Sequence, residues 1–391
     1  MEYPRYVKVI IDRLADAGYE AYIVGGSLRD MLIGRTPSDF DVATSALPER
    51  MLEIFSDMRT IPTGLQHGTV TVLSDGEPIE VTTFRTDGEY LDSRHPESVS
   101  FTSDIRDDLS RRDFTVNAIA YNENRGIVDP FGGESDIKLK ILRAVGDADT
   151  RMREDALRIM RGLRFSAQLG FSIEENTLSA LGRTKGGLAD ISRERIGVEL
   201  TKLVCSPYPE NPLRIMIESG ISKYIIGDFV PTDKAIASLS TLTPEPVARL
   251  SCLLWGADEE TAREILNSLK YSNAQKNGVL TALSAHTFPL PERDADFRRF
   301  IIRLGDRAIL AAELLEIFGE APDGFLEKIK RISSMDFARK ISDLAVNGAD
   351  LMALGISGKE LGAALSYLFD IVTESPDKNE KETLLNMAMS Q

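Results

Sequence analysis

The chain has 391 residues, 42% of them hydrophobic, and a formal net charge of −15 at pH 7, so more than one globular domain is expected. The acidic balance argues against nonspecific nucleic-acid binding as the main function. The sequence has no uncharged apolar run of about eighteen residues, and its first twenty residues include seven charged ones, where a secretory signal would need an apolar stretch; together these features predict a cytoplasmic protein with no membrane partner.

The first 135 residues alternate short β-branched runs with helical patterns. The runs AYIV, DFDVAT, GTVTVL, IEVTTF and RRDFTVNAIAYN contain the predicted strands. The segment SLRDMLIG, between the first two runs, is a predicted helix. This order predicts a small α/β domain.

Beyond residue 140 the strand patterns fade and helical periodicity predominates, as in REDALRIMRGLRF and GKELGAALSYLFDIV. The rest of the chain is therefore predicted to be mostly helical. Segment 138–202 carries more Lys and Arg than Asp and Glu, whereas segment 1–137 is strongly acidic, so a polyanion is expected to bind the former. The two cysteines, Cys205 and Cys252, are far apart and are predicted to be core residues.

Asp39 and Asp41 are two positions apart on the predicted strand DFDVAT, so their side chains are expected on one face while Phe40 points into the core. Two adjacent carboxylates repel each other unless a cation binds, and Mg²⁺ typically takes one or two carboxylates and keeps its other positions for water and phosphate. Two such ions promote in-line displacement at phosphorus. Taken alone, however, the pair is more typical of an exposed strand edge or turn.

The glycines before the helix SLRDMLIG favour a metal and phosphate site over an exposed strand edge or turn. Gly25 and Gly26 lie between a strand and a helix, where backbone N–H groups bind anions. Ser27 belongs to the same turn, and Arg29 adds a guanidinium one turn later. The pattern is neither a Walker loop nor a dinucleotide fingerprint. We infer a triphosphate held by the glycine turn, with its metal ions on the two aspartates.

The string GGSLRDMLIGRTPSDFDVAT resembles the signature of the polymerase-β-like nucleotidyltransferases of the class II tRNA CCA-adding enzyme and bacterial poly(A) polymerase family. Further motifs follow in the family's order over about residues 20–205: LQHGTVTV, EVTTFRTDGEY, RRDFTVNAIAYN, VDPFGG, REDALRIMRGLRF and SRERIGVEL. The segment AVNGADLMALGISGKELG is similar to the tail of the shorter bacterial CCA-adding enzymes.

The resemblance implies an α+β nucleotidyltransferase head with a mixed five-stranded sheet, followed by all-α neck, body and tail domains. The boundaries expected for head, neck, body and tail are 1–139, 140–205, 206–275 and 276–391. The neck would carry the motif that selects the nucleotide, and the tail would bind tRNA.

Two charged motifs are candidates for nucleotide binding. In RRDFTVNA, Arg112, Asp113 and Asn117 fall within two predicted helical turns, and the resemblance implies that Asp113 contacts the ribose and Arg112 the nucleotide. In REDALRIMRGLRF a charged stripe recurs at three- and four-residue spacings on a predicted helix. Its members are Glu154, Asp155, Arg158, Arg161 and Arg164.

Asp155 and Arg158 together match the hydrogen-bonding edge that cytosine and adenine share. A carboxylate accepts from the amino group and a guanidinium donates to the ring nitrogen, whereas uracil and guanine present the reverse order. The resemblance implies that this pair is a protein template for CTP and ATP, with Arg161 and Arg164 facing phosphates or the primer end. Charges in SRERIGVEL would brace the motif. The alternative is a solvated face of ion pairs.

We therefore expect template-independent addition of C, C and A to the 3′ end of tRNA from CTP and ATP, with pyrophosphate released and Mg²⁺ on the catalytic Asp39 and Asp41. In the family the loop that here reads DGEYLDSRHPES takes part in the change from C to A addition, and its full length weighs against a CC-only enzyme. Two alternatives stay open: an A-adding or poly(A)-polymerase relative, and a noncatalytic RNA-binding protein on a transferase scaffold. The oligomeric state is also open.

Overall fold

The computed structural model describes residues 1–88 and 99–390, which form two compact units. The first unit comprises Met1–Val230 with Ser268–Lys270, and the second comprises Pro231–Asn267 with Tyr271–Gln391. Within the described ranges, every helix is too short or too polar to cross a lipid bilayer. Most of the loop DGEYLDSRHPES, including Arg94 and His95, lies outside the described residues.

The first unit is built on a mixed sheet. The strands of this unit are β1 Ala21–Val24, β2 Asp41–Thr44, β3 Thr60–Gly64, β4 Thr69–Ser74, β5 Glu77–Thr83, β6 Arg85–Asp87, β7 Val99–Phe101, β8 Ala120–Asn122, β9 Gly126–Val128, β10 Ile141–Leu142 and β11 Ser172–Ile173. Seven of them form one sheet in the order β3-β4-β5-β2-β1-β8-β9, in which only β2 and β5 are parallel. The predicted mixed sheet is confirmed.

The sheet has seven strands, not the five predicted, because two short edge strands carry weak sequence patterns. β3 contains Pro62 and a register irregularity before Gly64, and proline is tolerated in a sheet only at an edge or a bulge. β9 has only three residues, none of them buried. Central strands were easier to predict: all four residues of β1 are buried, because both of its faces are covered.

Helices cover the sheet and make up most of the chain after it. In the first unit they are α1 Arg5–Asp16, α2 Gly25–Leu32, α3 Pro48–Ile54, α4 Ile105–Ser110, α5 Gly133–Leu139, α6 Ala148–Glu154, α7 Leu157–Leu169, α8 Glu175–Thr184, α9 Arg193–Val204, α10 Glu210–Glu218 and α11 Lys223–Ile226. Tyr22 and Val24 of β1 pack with Phe84 and with Ile105 and Leu109 of α4 in one buried cluster. This cluster fixes β1, and with it the glycine turn that follows.

The second unit contains helices and connecting turns in its described residues. Its helices are α12 Asp233–Ser238, α13 Pro246–Leu253, α14 Glu259–Ser268, α15 Asn273–Leu283, α16 Asp294–Leu304, α17 Ala308–Phe318, α18 Phe325–Ser333, α19 Gly348–Ala353, α20 Lys359–Glu374 and α21 Lys381–Met389. Leu351, Leu368 and Leu384 of the last three helices share a buried cluster. The mostly helical second half is therefore confirmed, whereas its division into neck, body and tail stays a prediction.

Candidate active site

One cleft of about 1040 Å³ in the first unit brings most of the predicted site residues together. Twelve of the fourteen line it: Gly25, Gly26, Arg29, Asp39, Asp41, Arg112, Asp113, Asn117, Asp155, Arg158, Arg161 and Arg164. Nine Lys and Arg side chains but only five aspartates belong to the lining, so the cleft suits a polyanionic ligand despite the acidic charge of the whole chain.

The register of the sheet places Asp41 beside the glycine turn. β1 and β2 are antiparallel, and Val24, the last residue of β1, pairs with Asp41, the first residue of β2. Gly25 follows Val24 and begins α2, so a Cβ built on Gly25 would lie only 3.8 Å from Asp41 Oδ2. A carboxylate and the N-terminus of a helix thus meet at one end of the cleft.

Asp39 is not on the strand, which corrects the prediction that both aspartates project from β2. It lies in a bend before the strand, because β1 ends opposite Asp41 and offers no partner to the residues that precede it. Ser38 Oγ donates to Asp39 Oδ1 at 3.0 Å. Asp39 still lines the same cleft and acts electrostatically on Asp41.

The two carboxylates fit a divalent cation. The surrounding protein, which limits hydration of the Asp41 carboxylate although the residue stays exposed to the open cleft, acts together with the Asp39 and Glu80 carboxylates to raise the pKa of Asp41 to about 6, against the opposing effect of the Arg112 guanidinium. Among residues 1–88 and 99–390, no group of three or more His, Cys, Asp or Glu side chains could hold a metal ion. A cation here would therefore take two carboxylates and keep its other positions for water and phosphate, as Mg²⁺ does.

Asp41→Asn is expected to raise the melting temperature of the metal-free protein. The carboxyl pKa rises from 3.8 to about 6 on folding, so the folded state binds more protons in this window and loses stability as the pH rises through it. The increase in melting temperature caused by the substitution should reach its full size above about pH 6 and should vanish below about pH 4. Thermal unfolding in EDTA across this range measures it. The charge-matched control Glu77→Gln, at an exposed position, should show no such step, and a pH-independent gain for Asp41→Asn would contradict the pKa.

Gly25 is required by both its backbone and its surroundings. Its φ is +72°, in the left-handed region, and a Cβ would lie 3.0 Å from Arg112 Nη1. Gly26, inside α2, has no positive φ, and its nearest neighbour is Arg29 Nη2 at an ordinary 3.5 Å. The first glycine thus permits the close approach of Arg112, whereas the second does not depend on lacking a side chain in this way.

Alanine substitutions at the two glycines should therefore have different effects on stability. Gly25→Ala is expected to lower the free energy of unfolding by about 1–2 kcal/mol, because alanine is strained at positive φ. Gly26→Ala should be neutral or stabilise by up to about 1 kcal/mol, because alanine is the better helix former. Urea denaturation of both variants measures the difference, and equal losses would contradict the geometry described.

The segment RRDFTVNA does not form the two helical turns predicted for it. α4 ends at Ser110, Phe114 bridges to Ala144, and only Thr115–Asn117 form a 3₁₀ turn. The backbone groups of this segment pair with residues 143–145 instead, so they are not available for a helix. The turn nevertheless brings Arg112, Asp113 and Asn117 to the cleft.

Two buried aspartates hold the arginines of the cleft. Asp108, which was not predicted, accepts hydrogen bonds from Arg111 and Arg112, and although burial raises its pKa, these two guanidinia lower it below the usual range. Burial likewise opposes ionisation of Asp113, but Arg161 and the Asn117 amide lower its pKa to about 2. Both carboxylates are therefore ionised at neutral pH and keep their arginines in place.

The single helix predicted for REDALRIMRGLRF is wrong, because α6 ends at Glu154 and α7 begins at Leu157. Asp155 lies at the break with extended backbone, and its Oδ1 accepts from the Leu157 N–H at 3.0 Å, which competes with a continuous helix. Asp155 and Arg158 both line the cleft, so the break does not separate the predicted base-selecting pair.

Arg158 is almost completely buried and is held by several acceptors. Its Nη1 donates to the Arg151 carbonyl at 2.9 Å and to the Glu154 carboxylate, and its Nη2 donates to the Arg111 carbonyl at 3.0 Å. Glu154 thus contacts Arg158 and does not line the cleft. Ser27 is also outside the lining, and its Oγ donates to the Val24 carbonyl at 3.0 Å.

Helix α9 supplies part of the bracing predicted from SRERIGVEL. Glu199 accepts from Arg164 Nε at 2.6 Å, and Arg195 Nη2 donates to Asp155 Oδ2 at 3.4 Å. Arg193 instead donates to the carbonyls of Tyr224 and Ile225. Of the four charged residues in SRERIGVEL, Arg195 and Glu199 therefore hydrogen-bond to residues that line the cleft.

Some residues in and around the cleft were missed. Asp108 is buried and does not line the cleft, but it was predictable in principle as the partner of Arg111 and Arg112, since it precedes them by three and four positions, the spacing of helical ion pairs. Arg35 and Lys202 also line the cleft, but no sequence pattern around them predicts this position. Cys252 is buried as predicted, and burial raises its pKa to about 12, whereas Cys205 is only half-buried and lines the cleft.

The sequence matches three family profiles. Residues 21–143 match the Poly A polymerase head domain, residues 170–230 the "Probable RNA and SrmB- binding site of polymerase A", and residues 246–388 the tRNA nucleotidyltransferase domain 2. The chain is 39% identical to a CCA-adding enzyme of Geobacillus stearothermophilus, over 98% of this chain and 96% of that one. It is 37% identical to a CCA-adding enzyme of Leuconostoc citreum, over 97% and 94%.

Solved structures are similar over the whole chain. A crystal structure of the Bacillus stearothermophilus CCA-adding enzyme in complex with CTP aligns with a TM-score of 0.86 and 35% identity, covering 100% of this chain and 98% of that one. The Thermotoga maritima CCA-adding enzyme complexed with tRNA aligns with a TM-score of 0.70 over 100% and 96%, but at 21% identity this likeness shows the fold alone.

Proposed function

The chain belongs to the class II CCA-adding enzymes of the tRNA nucleotidyltransferase and poly(A) polymerase family, and we propose that it adds C, C and A to the 3′ end of tRNA from CTP and ATP without a nucleic-acid template. The observation that carries this function is that one cleft unites a glycine turn, the Asp39 and Asp41 carboxylates and the Asp155–Arg158 pair. The enzyme would act in the cytoplasm, where its substrates occur.

Nucleotidyltransferases of this family use divalent metal ions, and we propose Mg²⁺ as the ion that Asp39 and Asp41 hold here. When bound, the ion supplies Lewis acidity that lowers the pKa of the primer hydroxyl and neutralises charge on the phosphates. Neither aspartate has a salt-bridge partner among the described residues, so both carboxylates are available to a cation.

The triphosphate would bind at the glycine end of the cleft. Gly25 and Gly26 are the first two residues of α2, so their N–H groups lie at the N-terminus of this helix. The Arg29 and Arg112 guanidinia line the same cleft. The primer hydroxyl attacks the α-phosphate of CTP or ATP, and pyrophosphate leaves along the arginines. The Arg112 guanidinium, held by Asp108, is thus placed to stabilise the leaving group.

Asp113 has little spare capacity for the ribose contact that the resemblance implies. Its Oδ1 accepts from the Phe114 N–H at 2.8 Å and from Asn117 Nδ2 at 3.1 Å, and its Oδ2 accepts from both Arg161 Nε and Arg161 Nη2. A carboxylate offers about four acceptor positions, and all are used. A ribose hydroxyl would therefore have to exchange with one of these donors.

Incorporation into a tRNA that lacks its CCA end tests the proposal. CTP alone should add two C residues, CTP with ATP should complete CCA, and ATP alone should add nothing to a tRNA that ends at the discriminator base. Product sequencing gives the order directly. Labelling from ATP alone would instead favour the A-adding or poly(A)-polymerase alternative, and a protein that releases no pyrophosphate under any condition would favour a noncatalytic RNA-binding function.

The tRNA itself would be recognised by shape and backbone, mainly by the net-positive segment 138–202 and by the tail. An acidic protein can bind tRNA in this way, because the cationic residues are concentrated around the cleft. We expect the affinity to be modest and to fall steeply with salt.

A further inference from the structure

Three guanidinium groups of the cleft lie over one aromatic ring. The guanidinium carbon, Cζ, of Arg164 is 4.0 Å from the centroid of the Phe165 ring. The Cζ atom of Arg161 is 5.1 Å from the same centroid, and the Cζ atom of Arg29 is 5.2 Å from it. Phe165 lines the cleft but is only 6% exposed, and Arg29 and Arg164 are also buried, so these two contacts are largely shielded from water, whereas the Arg161 side chain is 35% exposed. A single ring therefore joins cations from two elements, α2 and α7.

The three arginines need such a partner because their charges repel one another. Each has only local compensation: Arg161 pairs with Asp113, Arg164 pairs with Glu199, and Arg29 donates to Asn117 Oδ1 at 2.7 Å and to Asp30. Burial lowers the pKa of Arg164, and the neighbouring Arg161 adds to this effect against the Glu199 carboxylate. The positive charge of Arg164 is thus held at a cost, whereas at Arg161 the effect of burial is outweighed by the Asp113 carboxylate, which raises the pKa.

An aromatic face can offset part of that cost without neutralising the charge. The negative potential above the ring attracts a guanidinium, and the attraction strengthens where water is excluded. Aspartate or glutamate in the same place would also attract the arginines, but would repel a phosphate ligand. The Phe165 ring is held by a T-shaped contact with buried Phe114, with ring centroids 5.9 Å apart.

We propose that Phe165 is a positioning residue that keeps the guanidinia of Arg29, Arg161 and Arg164 directed at the phosphates of the bound nucleoside triphosphate. Arg29 provides the link to the triphosphate end, since its Nη2 lies 3.5 Å from the Cβ position of Gly26. The inference rests on the proposed function, because it assumes a triphosphate in the cleft. It adds a residue whose role is electrostatic through its ring face, and it predicts an effect on nucleotide binding more than on the chemical step.

A graded series of fluorinated phenylalanines at position 165 tests the proposal. Each fluorine weakens the potential of the ring face and barely changes its shape, so the KM for CTP should rise stepwise from the mono- to the trifluorinated ring, to about tenfold in total, while kcat stays within about threefold. The Kd for CTP, measured by equilibrium dialysis without tRNA, should rise in parallel. Phe165→Leu should resemble the trifluorinated protein, and Phe165→Tyr should resemble wild type.

The same series at Phe84 is the matched control. Phe84 is fully buried in the sheet core beside Tyr22, and no guanidinium or ammonium lies over its ring among the described residues. Fluorination there should leave the KM unchanged, and melting temperatures of both series should confirm that every variant folds. A flat KM and Kd across the Phe165 series, in a wild-type protein that does incorporate CMP, would overturn this inference alone. A wild-type protein that incorporates no nucleotide would overturn the proposed function instead.

Discussion

Asp41→Ala is expected to lower the rate of CMP incorporation by about 10³-fold or more, with tRNA affinity within about threefold of wild type. Asp41 is the first residue of β2, beside the glycine turn, and its raised pKa shows that the ionised carboxylate is costly in the absence of a cation. Removing it eliminates one of two carboxylates available to the metal. The tRNA contacts are expected elsewhere, so binding should persist. Single-turnover incorporation and filter binding measure the two quantities.

Asp39→Ala should produce a comparable loss of rate, although Asp39 lies in a bend outside the strand. Glu77→Gln removes an exposed carboxylate from β5 and should retain the wild-type rate. If either aspartate variant kept more than about a tenth of the wild-type rate at saturating Mg²⁺, the two-carboxylate metal site would be wrong. Loss of tRNA binding together with activity would point to misfolding, which thermal unfolding of the same variants would reveal.

The central strands were predictable because their patterns are strong and local. AYIV forms β1, with four buried residues, and GTVTVL contains β4, whose residues alternate between buried and half-buried. The edge strands were missed for the opposite reason. β3 carries a proline and a glycine that normally signal a turn, and only its pairing with β4 makes it a strand.

The break between α6 and α7 shows why periodicity alone gave the wrong local structure. Leu157, Met160 and Phe165 keep a helical spacing, and nothing in the apolar pattern marks where the helix begins. The break depends on the Asp155 side chain, which takes the Leu157 N–H that would otherwise be unsatisfied at a helix N-terminus. Asp155 therefore both lines the cleft and accepts a hydrogen bond from the first residue of α7, and the sequence pattern does not reveal this second role.

The composition of the cleft was largely predictable, but the contacts that hold it were not. Residue types and motif order placed twelve of the fourteen candidates in the cleft. The partner of each arginine, in contrast, comes from a distant part of the chain: Asp113 holds Arg161, and Glu199 on α9 holds Arg164. Such pairs depend on the packing of α7 against α9, which no local pattern specifies.

These contacts leave Asp155 and Arg158, the pair that we propose selects the base, with a defined hydrogen-bonding capacity. Arg158 has five N–H donors, of which two on Nη1 and one on Nη2 are used by the Arg151 carbonyl, Glu154 and the Arg111 carbonyl. Asp155 uses one acceptor position on each oxygen, for the Leu157 N–H and for Arg195. Both groups therefore retain capacity toward a base while their orientation is fixed, which suits a template made of protein.

Asp155→Asn is consequently expected to reduce kcat/KM for CTP by about 10²- to 10³-fold and to weaken the rejection of UTP by about tenfold or more. The amide loses the charge that accepts from the cytosine amino group, and its NH₂ can instead donate to O4 of uracil. Arg158 still donates toward N3, which carries a hydrogen in uracil, so selectivity should decrease without being inverted. Single-nucleotide incorporation with CTP, ATP, UTP and GTP measures the change.

Asp149→Asn is the matched control, because it makes the same substitution on α6 at a residue that pairs with Arg183 and lies outside the cleft. It should leave kcat/KM and the preference for CTP unchanged. If Asp155→Asn lowered incorporation of all four nucleotides equally, Asp155 would support the start of α7 without contacting the base. The selectivity ratio separates the two roles, because a damaged helix terminus would weaken incorporation of every nucleotide alike, whereas a lost acceptor penalises only cytosine and adenine, which present an amino group beside a ring-nitrogen acceptor.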